Sequence, residues 1–249
     1  MINNEKVIFN VASMPQRERS LHDTVRSVLP QADELNVYLN DYQEVPWFLY
    51  HPKINYYLST EHLGDLGDVG KFFRVHNQSG YIFTIDDDLV YPATYAEDMI
   101  RNIEKFNRKA VITAHGRIFH EGRQCASLYR DFKEGFACTK KTREAFIHLL
   151  GTGVTAFHSS TVQVDISIFE AINMADVWLS LHLQENKIPV FCIAHDRGYI
   201  RESMNYDRAY TIWNFCHGKD EYQTQIINSI TWKLHTCGEK KDTLHHTGI

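Results

Sequence analysis

The 249-residue chain has no CxxC pair, no basic excess, no internal repeat, no low-complexity stretch, and no apolar run near the roughly 20 residues that cross a membrane. Each absence removes a class. The five cysteines, Cys125, Cys138, Cys192, Cys216 and Cys237, are odd in number and scattered. They exclude a disulfide framework or a zinc ribbon and fit a reducing compartment. Lys+Arg is 26 against 31 Asp+Glu, a net charge of −5, so the basic stripe of a nucleic-acid binder is missing. Neither a Walker pattern nor GxGxxG is present. No apolar run follows Met1-Ile2-Asn3-Asn4-Glu5-Lys6, which predicts no signal peptide and a soluble, cytoplasmic protein.

What remains is ordinary globular composition: 43% apolar and 12% aromatic residues, enough for a packed core rather than disorder. Lys6 to Ala12 reads as a strand. Ser13-Met14-Pro15-Gln16 then reads as a helix start with a capping box, and Leu21, Val25, Val28 and Leu29 follow at helical spacing up to Pro30. Leu35 to Leu39 is a second strand, so this is a βαβ unit with a parallel sheet. Ile54 to Leu58, Gly80 to Ile85, Ala110 to Ala114 and Pro189 to Ala194 read as further strands. Thr94 and Glu97 form a second capping box before Tyr95, Met99, Ile103 and Phe106, and Asp176 to Leu183 reads as a helix. Residues 117–140 read as a long polar and aromatic excursion. Ile226, Ile227, Ile230 and Leu234 suggest a C-terminal amphipathic helix, with a frayed tail after Cys237. One domain over 1–249 is the simplest division.

The most informative feature is Asp86-Asp87-Asp88, directly after the apolar strand. Asp86 and Asp88 share a face by strand alternation, at the sheet edge where ligands gather in open α/β folds. Carboxylates packed this closely repel, and a divalent cation with oxygen ligands relieves the repulsion. Solvated turn acids are the bland alternative. Gly64 to Lys71 is a glycine-rich segment whose backbone can approach a ligand and whose Lys71 can offset phosphate charge; by itself such a segment is more often a loop. Of the 14 histidines, His115 and His195 follow strand ends, while His245 and His246 sit in the tail. Trp178, Trp213 and Trp232 are better explained by core packing than by sugar stacking or membrane anchoring.

Taken in order, these motifs resemble a GT-A glycosyltransferase of the family 2 type over about residues 6–200. Ser13-Met14-Pro15-Gln16-Arg17 is similar to the first βα turn, Tyr81 to Pro92 to the DxD strand, and Gly151-Thr152-Gly153 with Ala175-Asp176-Val177-Trp178 to the acceptor half. The resemblance implies an α/β fold with a Rossmann-like, mostly parallel central sheet flanked by helices. About 1–115 would form the nucleotide-sugar-binding half and about 116–249 the acceptor and catalytic half. It implies a nucleotide-sugar donor, UDP-sugar foremost, Mn²⁺ or Mg²⁺, and an inverting displacement with Asp176 as general base; a helix-cap role for Asp176 is the alternative. Asn10, Ala12, Arg17, Asp41, Asp68, Lys71, Asp86 and Asp87 fall to the donor. Asp88, Asp86 and His195 fall to the metal, and His115, Gly151, Thr152 and Gly153 to the acceptor. The family carries acid pairs where this chain has Ala175-Asp176. The implied partner is a carbohydrate acceptor in polysaccharide biosynthesis, with contact at the inner membrane surface where that acceptor is lipid-linked, and no nucleic acid.

Two rivals remain. A sugar-nucleotide pyrophosphorylase would want a Gly- and Arg-rich first loop, where this chain has Ala12-Ser13-Met14-Pro15-Gln16-Arg17. A non-catalytic nucleotide- or glycan-binding module could keep Asp86 and Asp88 without using a base.

Overall fold

A computed structural model describes residues 4–207, 209 and 220–239. Trp213, Cys216, His245 and His246 lie outside the described residues. The elements run β1 (Val7–Ser13), α1 (Glu18–Val28), β2 (Glu34–Leu39), β3 (Ile54–Leu58), β4 (Tyr81–Ile85), β5 (Leu89–Val90), α2 (Tyr95–Lys105), β6 (Val111–Thr113), β7 (Gly116–Ile118) and β8 (Glu134–Phe136). Then follow β9 (Ala145–Ile147), β10 (Leu149–Leu150), β11 (Val154–His158), α3 (Ala175–Glu185), β12 (Val190–Cys192), β13 (Arg201–Glu202) and α4 (Glu221–Ile227).

Among the described residues the central sheet has eight strands in the order β3-β2-β1-β4-β11-β6-β12-β9. β1, β2, β3 and β4 are mutually parallel, as is the β6–β12 pair, whereas β11 runs antiparallel to both of its neighbours and β9 to β12. The expected mostly parallel α/β sheet is therefore present. Both faces are buried, which is why β1, β2 and β4 read as continuous apolar runs. Alternation sorts their side chains: Val7, Phe9 and Val11 of β1 join Leu21 and Val25 of α1 and Met99 and Ile103 of α2 on one face. Ile82 of β4 and Phe157 of β11 join Val69, Phe72 and Leu179 on the other, under α3.

Local chemistry departs from the sequence reading at both capping boxes. Ser13 ends β1 with its hydroxyl 3.4 Å from the Tyr42 hydroxyl, and the short turn Pro15–Arg17 is entered from Met14 without a side-chain cap. The Thr94 hydroxyl donates to the Asp98 carboxylate at 2.7 Å, and Glu97 pairs with Arg101. In each case a nearby oxygen competes successfully for the group that would have capped. The 117–140 excursion contributes β7 and β8 to a second, three-stranded sheet with β10. α4 stops at Ile227, short of Ile230, and Leu234 is exposed. Trp178 is buried, and the Trp232 indole N–H donates to the Ile227 carbonyl at 2.7 Å. The described cysteines, Cys125, Cys138, Cys192 and Cys237, are free. No described helix is long and apolar enough to cross a membrane.

Candidate active site

The C-terminal ends of β1, β2 and β4 meet at the switch point between β1 and β4, where open α/β sheets leave a crevice. A cavity of about 570 Å³ opens there. The end of β1 and the turn after it supply Ala12, Ser13, Met14 and Arg17, and the turn after β2 supplies Asn40 and Asp41. The 65–71 segment adds Asp65, Gly67, Asp68 and Lys71, the turn after β4 adds Asp86, Asp87 and Asp88, and β7 with the residue before it adds Arg117 and His115. Thr152 and the stretch Asn173 to Val177 close the other side. The cavity thus collects Ala12, Arg17, Asp41, Asp68, Lys71, Asp86, Asp87, Asp88, His115, Thr152 and Asp176 from the sequence reading.

Each acid of the run has a cation. The Lys71 ammonium, only 3% exposed, binds the Asp86 carboxylate. Arg17 Nη1 lies 2.7 Å from Asp87 Oδ1 and 3.3 Å from Asp88 Oδ2. Burial pushes Asp86 up, but Lys71 outweighs it and holds the carboxylate below its ordinary range. Burial, then the charges of Asp86 and Asp87, push Asp88 up to about 7 against the opposing pull of Arg17. Asp86 can lie where it does because position 153 is glycine: a Cβ there would fall 1.9 Å from Asp86 Oδ2. The expected acceptor residue Gly153 therefore sits beneath Asp86, an expected donor residue. The Tyr91 hydroxyl bridges the two, within 2.9 Å of the Asp86 amide and donating to the Gly153 carbonyl at 2.5 Å.

Asp176 stands in the first turn of α3, but Met174 is the N-cap. Its Oδ1 accepts from both the Thr152 amide and the Thr152 hydroxyl, each at 2.7 Å. Oδ2 has no hydrogen-bond partner among the described residues. The helix start is instead capped from a distance: Asp68 Oδ2 accepts from the Ala175 amide at 3.0 Å. Asp68 Oδ1 is buried without a hydrogen-bond partner among the described residues, and burial pushes the carboxyl up to about 6 despite Lys71. Asp68→Ala should therefore cost about 1 kcal/mol of stability in urea denaturation through the lost cap. Asp68→Asn, which keeps an acceptor oxygen and removes a poorly solvated charge, should remain at least as stable as the parent at neutral pH.

His115 is held neutral: burial and the neighbouring Arg117 push its pKa down to about 4. Gly151 backs it, with room for a Cβ only 3.0 Å from the ring. Four expected site residues do not line the cavity: Gly151 and Gly153 lie behind His115 and Asp86, and Asn10 and His195 lie elsewhere. Asn10 is 1% exposed and donates its amide to Gln78 and to the Phe83 carbonyl inside the sheet. His195 is buried, with Nε2 3.2 Å from the Ala114 carbonyl and Nδ1 3.3 Å from the Asp196 carbonyl, so both nitrogens face backbone oxygens and whichever carries the proton donates to one of them.

Sequence reasoning passed over Asn40 and Arg117. Asn40 accepts from the Leu66 amide and donates to the Gly67 carbonyl, each at 2.9 Å, and so pins the glycine-rich segment to the end of β2. Its signal was its place beside Asp41 at a strand end.

No protein-family model and no curated protein matches the chain. Solved structures do. A crystal structure of S. aureus TarS residues 1–349 in complex with UDP-GlcNAc is similar at a TM-score of 0.50 and 12% identity, over 88% of this chain and 70% of that one. A second crystal structure of TarS 1–349 gives 0.45 and 11%, over 80% and 60% of the two chains. The inositol-1-phosphate CTP transferase from T. maritima gives 0.45 and 9%, over 91% and 98%. The first of these likenesses is one of fold, and with the strand order described above it defines a nucleotide-diphospho-sugar transferase fold of the GT-A type.

Proposed function

We propose that the protein is a metal-dependent, inverting glycosyltransferase that moves a sugar from a nucleoside diphosphate, UDP foremost, to a carbohydrate acceptor. The observation that carries this reading is one cavity holding the Asp86–Asp88 acids from β4 and, from another element, Asp176 with an unengaged carboxylate oxygen.

The charge of the cavity supports a cation. Seven aspartates line it, Asp41, Asp65, Asp68, Asp86, Asp87, Asp88 and Asp176, against Arg17, Lys71 and Arg117. Such a surface repels a diphosphate unless positive charge arrives with it. No three described His, Cys, Asp or Glu residues are grouped to hold a metal alone. Mg²⁺-type sites for nucleotides use one or two carboxylates and let the phosphates complete the shell, and the oxygen donors of Asp88 and Asp86 fit that set. When bound, the cation would offset the charge of the diphosphate leaving group.

The chain's own residues do the rest. Lys71 holds Asp86 ionised, and Asp86, Asp41 and Ala12 line the donor side. The acceptor hydroxyl oxygen bonds to the anomeric carbon as that carbon's bond to the diphosphate oxygen breaks. The electron pair leaves with the diphosphate, and the hydroxyl proton passes to Asp176 Oδ2. Thr152, with two hydrogen bonds to Oδ1, fixes the orientation of that carboxylate.

Titration of UDP and UDP-sugars with and without Mn²⁺, read by melting temperature and calorimetry, tests this. Chelation should weaken UDP binding by about tenfold or more, a ~1.4 kcal/mol effect. Equal binding without metal would sink the metal role. Release of pyrophosphate in place of nucleoside diphosphate would replace the transferase with a nucleotidyltransferase.

A further inference from the structure

Arg117 is the cation in the cavity that the donor chemistry does not use. Its guanidinium carbon sits 5.3 Å from the Tyr129 ring centroid and 5.4 Å from that of Phe132. No salt bridge or hydrogen bond reaches the guanidinium among the described residues. Burial lowers its pKa, and Asp176 is the acid whose charge acts on it most strongly. Asp176 also acts on Lys71, so the base is flanked by a cation on the donor side and by Arg117 on the other.

The clamp is built into the small sheet. Arg117 of β7 lies opposite Gly135 of β8, and a Cβ at 135 would fall 2.8 Å from the Phe132 ring. Glycine there lets Phe132 fold over the arginine. Beyond the clamp the cavity wall turns apolar, with Leu128, Leu149, Met174 and Val177. Two aromatic rings hold a guanidinium at little further entropic cost and leave its N–H fork free for a planar or tetrahedral anion. A half-buried guanidinium whose N–H groups no described residue engages is best completed by an anionic group.

We propose that Arg117 binds an anionic group of the acceptor, a phosphate or a carboxylate, so that the sugar is delivered to an anionic acceptor rather than a neutral one. This rests on the transferase reading. It places the attacking hydroxyl at Asp176 with the anion one position further along the cavity, where Arg117 also screens that anion from Asp176.

The test compares glycerol 3-phosphate with glycerol, and glucuronate with glucose, as acceptors in the presence of UDP-sugars and Mn²⁺. Wild type should favour the anionic member of at least one pair by about 10- to 100-fold in kcat/KM, the scale of charge-assisted hydrogen bonds. The pair that responds separates phosphate from carboxylate. Arg117→Met should reduce that preference to about threefold or less, and Arg117→Lys should restore part of it. Equal use of neutral and anionic acceptors by wild type overturns the proposal. So does a preference that survives in Arg117→Met, or a variant whose only change is weaker UDP binding. If no nucleoside diphosphate binds at all, the transferase reading falls by itself. Calorimetric titration with glycerol 3-phosphate and glucuronate then decides on Arg117: binding lost in Arg117→Met upholds the anion site, and no binding of either by wild type refutes it.

Discussion

Asp176→Asn should lower kcat for sugar transfer by about 10²- to 10⁴-fold, the range ascribed to a positioned general base, while UDP affinity stays within about twofold of wild type. The amide keeps an oxygen to accept both Thr152 hydrogen bonds, so the start of α3 and the loop before β11 should hold their geometry. What is lost is the capacity to take a proton. Rate of UDP release with acceptor present and calorimetric affinity for UDP measure the two quantities separately. A kcat within about threefold of wild type would remove Asp176 from its assigned role, and a parallel loss of UDP affinity would make it a structural residue.

Asp86→Ala should be the most damaging single change to the donor side. It strands the Lys71 ammonium, 3% exposed, without its direct partner. Breaking a fully buried ion pair costs about 3–5 kcal/mol. Here ~2–3 kcal/mol is the better expectation, because 42% of the Asp86 side chain is exposed and Asp68 keeps negative charge near Lys71. Urea denaturation reads this loss, and UDP titration should show binding weakened by about tenfold or more in the same variant. Asp86→Asn separates the two: a hydrogen-bond acceptor remains for Lys71, so stability should recover further than UDP affinity. Full UDP affinity in Asp86→Ala would exclude the acid from the donor site.

The first half of the fold was legible because its strands are long. β1, β2, β3 and β4 run five to seven residues, so apolar runs and the punctuation at Pro30 and Gly80 identify them. In the second half β6 and β12 were legible as apolar runs, but β7 to β10, of two or three residues each, are too short for a period to register, and sequence reasoning passed over the five-residue β11. The site divides in the same way. Asp86 to Asp88 and Lys71 announce themselves by type and position. Gly153 looks like an ordinary loop glycine until Asp86 is seen to rest on it. Arg117 is silent because the rings of Tyr129 and Phe132 that hold it belong to a stretch with no pattern of its own. His195 misled for the opposite reason: a histidine at a strand end suggests a ligand, but here its backbone bridges to Thr142 and its ring faces carbonyls.

The reversed direction of β11 has a mechanical consequence. Asp86 leaves β4 at the point where Gly153 leads into β11, and the Asp86 amide donates to the Gly153 carbonyl at 3.2 Å, next to the Ile85–Val154 register pair. Asp86 and Gly153, assigned to donor and to acceptor, are therefore stitched to two strands bonded to each other in one sheet. They do not sit on lobes joined by a hinge, so no rigid-body closure changes the distance between them. Shutting out water must fall to the rim of the cavity, whose motion leaves the β4–β11 register unchanged.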